Sequence, residues 1–128
     1  MDELRERIAA YLAQNQMCVI STNGCHGAWS VAAQYQHHGL ELDCRVPHWS
    51  DALFHLEQDP SVQVIILDAQ SSPSHWLHYR GTARVDSSST DERYATVHVT
   101  PERVDLMDES RGWGARDTLE LYSPNPCK

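Results

Sequence analysis

The chain has 128 residues, of which 41% are hydrophobic, enough for one packed core and too few for two. Its formal net charge is −8, and Lys and Arg gather nowhere along it. This argues against the basic footprint of a protein that binds nucleic acid or an anionic membrane. We therefore expect one domain over residues 1–128, with no nucleic-acid or membrane partner.

The N-terminal residues are acidic and amphipathic, and no apolar run approaches membrane-spanning length. We expect a soluble, cytoplasmic protein. The even number of cysteines does not by itself indicate disulfides, because nothing in the sequence indicates secretion. Free and mostly buried thiols are expected at Cys18, Cys25, Cys44 and Cys127.

The first elements are a helix and a hairpin. Apolar residues at helical spacing predict an amphipathic helix over residues 2–14. The apolar run 17–22 predicts a strand, and the turn residues that follow it predict a hairpin with a second strand over 28–35. After a turn at His38-Gly39, residues 40–45 alternate between apolar and charged side chains, which predicts a strand with one buried face.

The middle of the chain predicts a short helix and a buried strand. Ser50 can cap a helix that ends near Gln58, before Asp59-Pro60. The run 62–67, VQVIIL, is nearly all apolar and predicts a strand buried on both faces.

The last third predicts a long strand over 75–85, in which Gly81 permits a bulge. Weaker patterns follow: a helical turn over 91–95 and short strands over 97–99, 103–107 and 118–122. About six strands with only two helices favour a mainly β, antiparallel barrel over a doubly wound sheet.

Several segments in this order resemble the pyridoxamine 5′-phosphate oxidase-like family, the FMN-binding split barrels. They are the opening helix, GAWSVAAQY after a Gly turn, a strand leading into a Ser-initiated helix closed by L-x-x-D-P, VQVIIL and YRGTARV. The resemblance covers nearly the whole chain. It implies a six-stranded antiparallel split barrel with an N-terminal helix and a short helix after the third strand. It also implies a homodimer with FMN in the groove between subunits.

The resemblance also implies a phosphate-binding segment at the start of the second helix. Ser50 matches the family's Ser, whereas Val46 and Ala52 occupy the positions of a hydroxyl residue and a Lys. Arg45 could supply the missing positive charge. Trp49 either packs on a flavin or fixes the entry of the helix against the barrel.

Each of these residues also has a purely structural interpretation. Ser50 is equally well explained as an N-cap, and Arg45 as a solvated strand residue paired with Asp43 or Glu41. Near the C-terminus, Trp113 and Arg116 suit flavin stacking and anion contact, but they suit a dimer interface equally well.

No nucleophile–base spacing or metalloprotease motif is present, and the eight histidines match no zinc pattern, so we expect no metal site. The family resemblance implies an FMN-dependent oxidoreductase acting on an unidentified small molecule. The alternative is a degenerate split barrel without tight FMN binding, acting as a small-ligand binder, haem included, or as a dimeric interaction module. Any catalytic chemistry would come from the cofactor.

Overall fold

The computed structural model describes residues 2–22, 29–68, 75–86 and 91–121. These form two α-helices and seven β-strands. In chain order the elements are α1 (Asp2–Gln14), β1 (Met17–Thr22), β2 (Trp29–His38), β3 (Glu41–Pro47), α2 (Asp51–Gln58), β4 (Ser61–Leu67), β5 (His75–Asp86), β6 (Tyr94–Asp108) and β7 (Arg116–Glu120).

All strand pairings are antiparallel, and the order in the sheet is β3-β2-β1-β4-β5-β6-β7. The first half of β6 also pairs with β3, over the register Leu42↔Val99 to Pro47↔Tyr94. This pairing closes six strands into a barrel and leaves β7 as a seventh strand beside the second half of β6. The predicted six-stranded antiparallel split barrel is therefore confirmed, with one additional strand.

The barrel interior is filled by alternate residues of each strand, as the period of two requires. In β3, for example, Leu42, Cys44 and Val46 are fully buried. Burying one such apolar side chain contributes roughly 1.5–3 kcal/mol. The interior residues are Cys18, Ile20, Ala33, Tyr35, Leu42, Cys44, Val46, Val62, Val64, Ile66, Leu77, Tyr79, Ala83, Val97, Val99 and Val104.

Helix α1 packs against the barrel through Ile8, Tyr11 and Leu12. The Tyr11 hydroxyl lies 3.2 Å from the Ile66 carbonyl oxygen and 2.8 Å from that of His75. From inside the barrel, the Tyr35 hydroxyl donates to the Leu12 carbonyl oxygen at 2.7 Å. The predicted helix over 2–14 is thus confirmed, and hydrogen bonds as well as apolar contacts hold it in place.

Helix α2 connects β3 to β4 and has the bounds that its capping residues predict. The Ser50 hydroxyl accepts the Ala52 N–H at 3.1 Å, as an N-cap does. At the other end the Asp59 N–H donates to the His55 carbonyl oxygen at 2.9 Å. The Asp59-Pro60 pair then ends the helix.

Two secondary-structure predictions for the last third of the chain were wrong. Residues 91–95 do not form a helical turn, because the chain bends at 92–93 and enters β6 at Tyr94. The two short strands expected over 97–99 and 103–107 are one continuous strand of 15 residues. A β-bulge between the two predicted segments preserves the pairing with β5, so the strand continues through them.

The prediction that VQVIIL is buried on both faces was also wrong. In β4 only Val62, Val64 and Ile66 face the interior, while Leu67 on the outer face is 62% exposed. An apolar residue gives the same sequence signal on either face. The outer face of this strand therefore presents apolar side chains to the surroundings of the barrel.

Two of the four cysteines fall within the described residues. Cys18 and Cys44 are free and buried, as predicted, with their Sγ atoms 3.9 Å apart in the barrel interior. Cys25 and Cys127 lie outside the described residues. Neither described helix is long and apolar enough to cross a membrane.

The bulge between β5 and β6 brings two backbones together at Gly81. The register shifts between Arg80↔Arg103 and Gly81↔Pro101, which leaves Glu102 as the extra residue. A Cβ atom built on Gly81 would collide with the Thr100 carbonyl oxygen and lie 3.1 Å from the Pro101 Cα. Both are backbone atoms that cannot rotate away.

We therefore expect Gly81→Ala to destabilise the fold by about 1–3 kcal/mol, the usual cost of overpacking. Urea unfolding of both proteins measures this difference. Gly39→Ala is the control, because a Cβ there meets no atom within 4 Å and only its φ of +62° resists the change. Because the positive φ at Gly39 alone costs an alanine about 1–2 kcal/mol, the decisive result is the one at Gly81, and a Gly81→Ala variant as stable as the wild type would contradict the close-approach argument.

The seam between β3 and β6 carries a chain of hydrogen-bonded ionisable side chains on its outer face. His98 Nδ1 lies 2.7 Å from Asp43 Oδ1, and His98 Nε2 lies 2.7 Å from Glu41 Oε1. His38 Nε2 contacts the other Asp43 oxygen at 2.9 Å. Only the protonated imidazole of His98 can donate through both nitrogens, so both carboxylates favour its charged form. The pKa of His98 is therefore raised above 6.5, with Asp43 making the larger contribution and Glu41 the smaller.

This raised pKa predicts that His98 stabilises the fold most at acidic pH. The contribution is complete below the unfolded-state pKa and is lost as the pH rises through the higher folded-state pKa. We expect His98→Asn to lose more stability at about pH 5.5 than at about pH 8.5. Chemical unfolding at both pH values measures the difference. Glu41→Gln should reduce this pH dependence, and a pH-independent effect of His98→Asn would contradict the assignment.

Candidate functional site

A groove runs along the outer face of the barrel at the β2–β3 pairing. It consists of two depressions, of about 250 and 280 Å³, which meet at Gln34 and Arg45, neighbours in the β2–β3 register. We call it the Arg45 groove. Its lining residues are Gln16, Met17, Ala32, Ala33, Gln34, Tyr35, Gln36, Arg45, Pro47 and Tyr94.

Arg45 is exposed and faces this groove, and it does not pair with Asp43 or Glu41 as the structural interpretation proposed. Its guanidinium carbon lies 4.5 Å from the ring centroid of Tyr94, a cation–π contact. Its Nη2 donates to Asp91 Oδ2 at 3.3 Å, and both partners are about half exposed. An exposed pair of this kind is weak, so an anionic ligand can displace Asp91 from Arg45 at low cost.

Asp91 has a second role as the organiser of the turn into β6. Its Oδ1 accepts the backbone N–H of Arg93 at 2.8 Å and that of Tyr94 at 3.3 Å. The hydrogen bond from the Arg93 N–H is the largest cause of a pKa of Asp91 below its usual range. The Tyr94 N–H and the Arg45 guanidinium lower this pKa further. Asp91 therefore remains ionised across the physiological pH range and competes with any anion for Arg45.

The N-terminus of α2 follows the groove along the chain. The Ser50 hydroxyl is used as the cap. The side chains of Val46 and Ala52 are buried, so neither presents a side chain to a ligand there. Asp51 lies in the first turn and is exposed. The helix therefore offers a ligand its backbone dipole but brings a carboxylate with it.

Trp49 and His48 lie in the turn between β3 and α2. Trp49 is 81% exposed, so within one chain it neither packs on the barrel nor fixes the helix entry. His48 Nε2 contacts the Asp91 carbonyl oxygen at 3.0 Å. Both residues border a further depression, of about 410 Å³, which they share with Pro47, Glu92, Arg93 and Tyr94.

Trp113 and Arg116 lie far from Arg45 within one chain. Trp113 is 99% exposed in the turn before β7, and Arg116 pairs with Met107 near the end of β6. Arg45 pairs with Thr96, near the start of β6. At about 3.3 Å per residue, these two positions on β6, 11 residues apart, are separated by roughly 36 Å along the strand. The chain does not bring the two predicted groups together.

The sequence reasoning missed Tyr94 and Gln34. Tyr94 was hidden because residues 91–95 were assigned to a helical turn, although its proximity to Arg45 depends on β6 pairing with β3. The position of Gln34 in the site could have been predicted from the sequence. Alternation in β2 places it on the outer face, next to the strand that carries Arg45. Among the described residues, no three His, Cys, Asp or Glu side chains converge to hold a metal.

No protein-family model matches the sequence, and neither does any curated protein. Solved structures do match the fold. General stress protein 26 from Bacillus anthracis superposes with a TM-score of 0.75 at 17% identity, covering 92% of this chain and 98% of that one. A Clostridium acetobutylicum protein described as related to general stress protein 26, of the pyridoxinephosphate oxidase family, gives 0.78 at 12% identity, covering 94% and 96%.

A third structure, a haem-binding protein from Mycobacterium smegmatis, gives a TM-score of 0.72 at 16% identity, covering 91% of this chain but 57% of its own. At sequence identities this low, the similarity is one of fold. The chain therefore has the barrel fold of proteins described as the pyridoxinephosphate oxidase family, as the sequence resemblance predicted.

Proposed function

We propose that the chain binds FMN in the Arg45 groove and acts, as a cytoplasmic homodimer, as an oxidoreductase on a small molecule. The observation that supports this most directly is Arg45. It is an exposed guanidinium held on the Tyr94 ring in a groove whose floor is made of small and amide side chains. The fold of the structural neighbours named as pyridoxinephosphate oxidase relatives points in the same direction.

The residues of the groove fit an anionic cofactor with a planar ring. Arg45 would hold the phosphate, because a guanidinium pairs with phosphate oxygens through two parallel hydrogen bonds. Ala32 leaves room for a ring against β2, and the amides of Gln34 and Gln36 offer donors and acceptors to its polar edge. Val46 and Ala52 contribute no side-chain contact, so the phosphate would depend on Arg45 and on the dipole of α2.

FMN, when bound, supplies hydride and single-electron transfer, for which the protein needs no nucleophile of its own. The protein's contribution is to bind and orient. Backbone groups of β2 at Ser30–Ala33, of which Ala32 and Ala33 line the groove, would position the ring edge. The exposed Asp91 and Asp51 carboxylates oppose a phosphate, so we expect exchangeable binding.

Two substitutions of opposite effect test this assignment. Arg45→Ala should weaken FMN binding by about 10- to 100-fold, because it removes a charge-assisted contact. Asp91→Asn should strengthen it severalfold, because the competing charge disappears while Oδ1 can still accept the turn N–H groups. Titration of apoprotein with FMN, followed by flavin fluorescence, measures both.

Arg84→Ala is the matched control, an exposed arginine on the outer face of β5. It should leave FMN affinity unchanged. FMN that binds wild type and Arg45→Ala equally would refute the groove as the site. A wild-type protein that retains no FMN at micromolar concentration would refute the proposed function.

Haem is a second candidate ligand, supported by the haem-binding structural neighbour and by His48, which borders the depression beside the Arg45 groove. If haem binds there, addition of haemin should produce a Soret band that shifts or disappears in His48→Ala. His37→Ala is the control, because His37 lies in β2 and contacts the Gly39 carbonyl oxygen. A Soret band unchanged in His48→Ala would exclude this ligand assignment.

A further inference from the structure

A separate depression lies on the outer face of β4 and β5, away from the Arg45 groove. Its volume is about 330 Å³, within the roughly 300–1,000 Å³ of most ligand pockets, and it shares no lining residue with the groove. We call it the Arg80 depression. Its lining residues are Ser61, Val62, Gln63, Arg80, Gly81 and Glu102. The two charged members of this set are of opposite sign.

The β-bulge in β6 turns Glu102 toward this depression. Pro101 and Val104 are buried, whereas the two residues between them are partly exposed. In a regular strand alternate residues face the same side, so one of these two would point into the barrel. The bulge makes Glu102 an extra residue, and its side chain lines the outer surface beside β5. A bulge can aim a side chain in this way, and here the side chain is a carboxylate.

Arg80 reaches the same depression from β5, and no contact within the chain explains its charge. It lies directly opposite Arg103 in the β5–β6 register, and like charges in this position destabilise a sheet. Arg103 is paired with Asp105, whose Oδ1 lies 3.3 Å from the arginine Nε. Within the described parts of the chain, the Arg80 side chain forms neither an ion pair nor a hydrogen bond. Its guanidinium is therefore available to a ligand.

Glu102 also lacks a side-chain partner among the residues that the structure describes, so Arg80 and Glu102 border one depression without pairing. An anion there would be attracted by Arg80 and repelled by Glu102, and a cation would meet the reverse. A further polar wall is Gln63, whose Oε1 lies 2.7 Å from His78 Nε2. Burial lowers the pKa of His78, so its ring is neutral at physiological pH and adds no charge. The depression therefore favours a molecule that carries both charges.

We propose that the Arg80 depression binds a small zwitterion of the α-amino acid class, with its carboxylate on Arg80 and its ammonium group on Glu102. A guanidinium holds a carboxylate through two parallel hydrogen bonds, and an ammonium group donates to a carboxylate. Both protein charges lie near the surface, where such pairs are weak, so we expect millimolar affinity. The site needs neither FMN nor the Arg45 groove, so this inference goes beyond the proposed function and does not rest on it.

L-Alanine and its two singly charged relatives test the requirement for both charges. Propionate lacks the ammonium group, and ethylamine lacks the carboxylate. Titration of isotope-labelled wild-type protein, followed by amide chemical shifts in NMR spectra, should show millimolar binding of L-alanine with shifts centred on Ser61, Arg80 and Glu102. Propionate and ethylamine should each bind at least about tenfold more weakly. Absence of L-alanine binding, or a relative that binds as tightly as L-alanine, would overturn the proposal.

Two substitutions that each remove one charge test the assigned residues. Arg80→Gln should weaken L-alanine binding at least about tenfold. Glu102→Gln should also weaken it but should strengthen propionate binding, because the repelling carboxylate is gone, and a purely structural role would not produce this reversal. Arg84→Gln is the matched control, since Arg84 is exposed on the same face of β5 but does not line the depression.

The Arg84→Gln variant should bind L-alanine as the wild type does, and the melting temperatures of all variants report that the fold is kept. If Arg80→Gln or Glu102→Gln retains wild-type affinity for L-alanine, or if Arg84→Gln loses it, the site is refuted. Arg45→Ala should also bind L-alanine normally, so a failure of the cofactor assignment leaves this result unchanged.

Discussion

The pairing of β3 with the first half of β6 is the constraint on which the rest of the structure depends. It turns an open sheet into a barrel and buries the interior residues of both strands. It also places Tyr94 beside Arg45, since these residues come from strands almost fifty positions apart. The same seam places His98 beside Asp43 and Glu41 on its outer face, so closure of the barrel also sets the electrostatics of this surface.

The Arg45 groove, to which the β3–β6 seam contributes Tyr94, sets the stability of a turn against the proposed ligand binding. Asp91 fixes the turn into β6 and at the same time occupies the guanidinium that an anion would need. Removing Asp91 completely would free Arg45 but would also remove two bonds to backbone N–H groups. An anion bound at such a site would be held loosely, unlike one on which several cations and hydroxyl groups converge.

Much of the fold could be predicted because local patterns agree with it. Alternation assigned the buried face of β3, and Ser50 with Asp59-Pro60 set the bounds of α2. The site was less predictable. Arg45 was recognised, but its partner Asp91 comes from a distant segment whose own structure was mispredicted. The outward direction of the apolar side chains of Ile65 and Leu67 in β4 was missed, because an apolar residue looks the same in sequence on either face of a strand.

The two buried thiols have a kinetic consequence. Cys18 and Cys44 lie on β1 and β3, with β2 between them, and their side chains meet only inside the closed barrel. The hydrogen bond between the Cys44 and Cys18 thiols, together with burial, raises the pKa of the Cys44 thiol, so the reactive thiolate is scarce. An alkylating reagent can therefore reach these thiols only after strands of the barrel separate. The rate at which these two cysteines are alkylated therefore reports the rate of barrel opening, independent of any cofactor or partner.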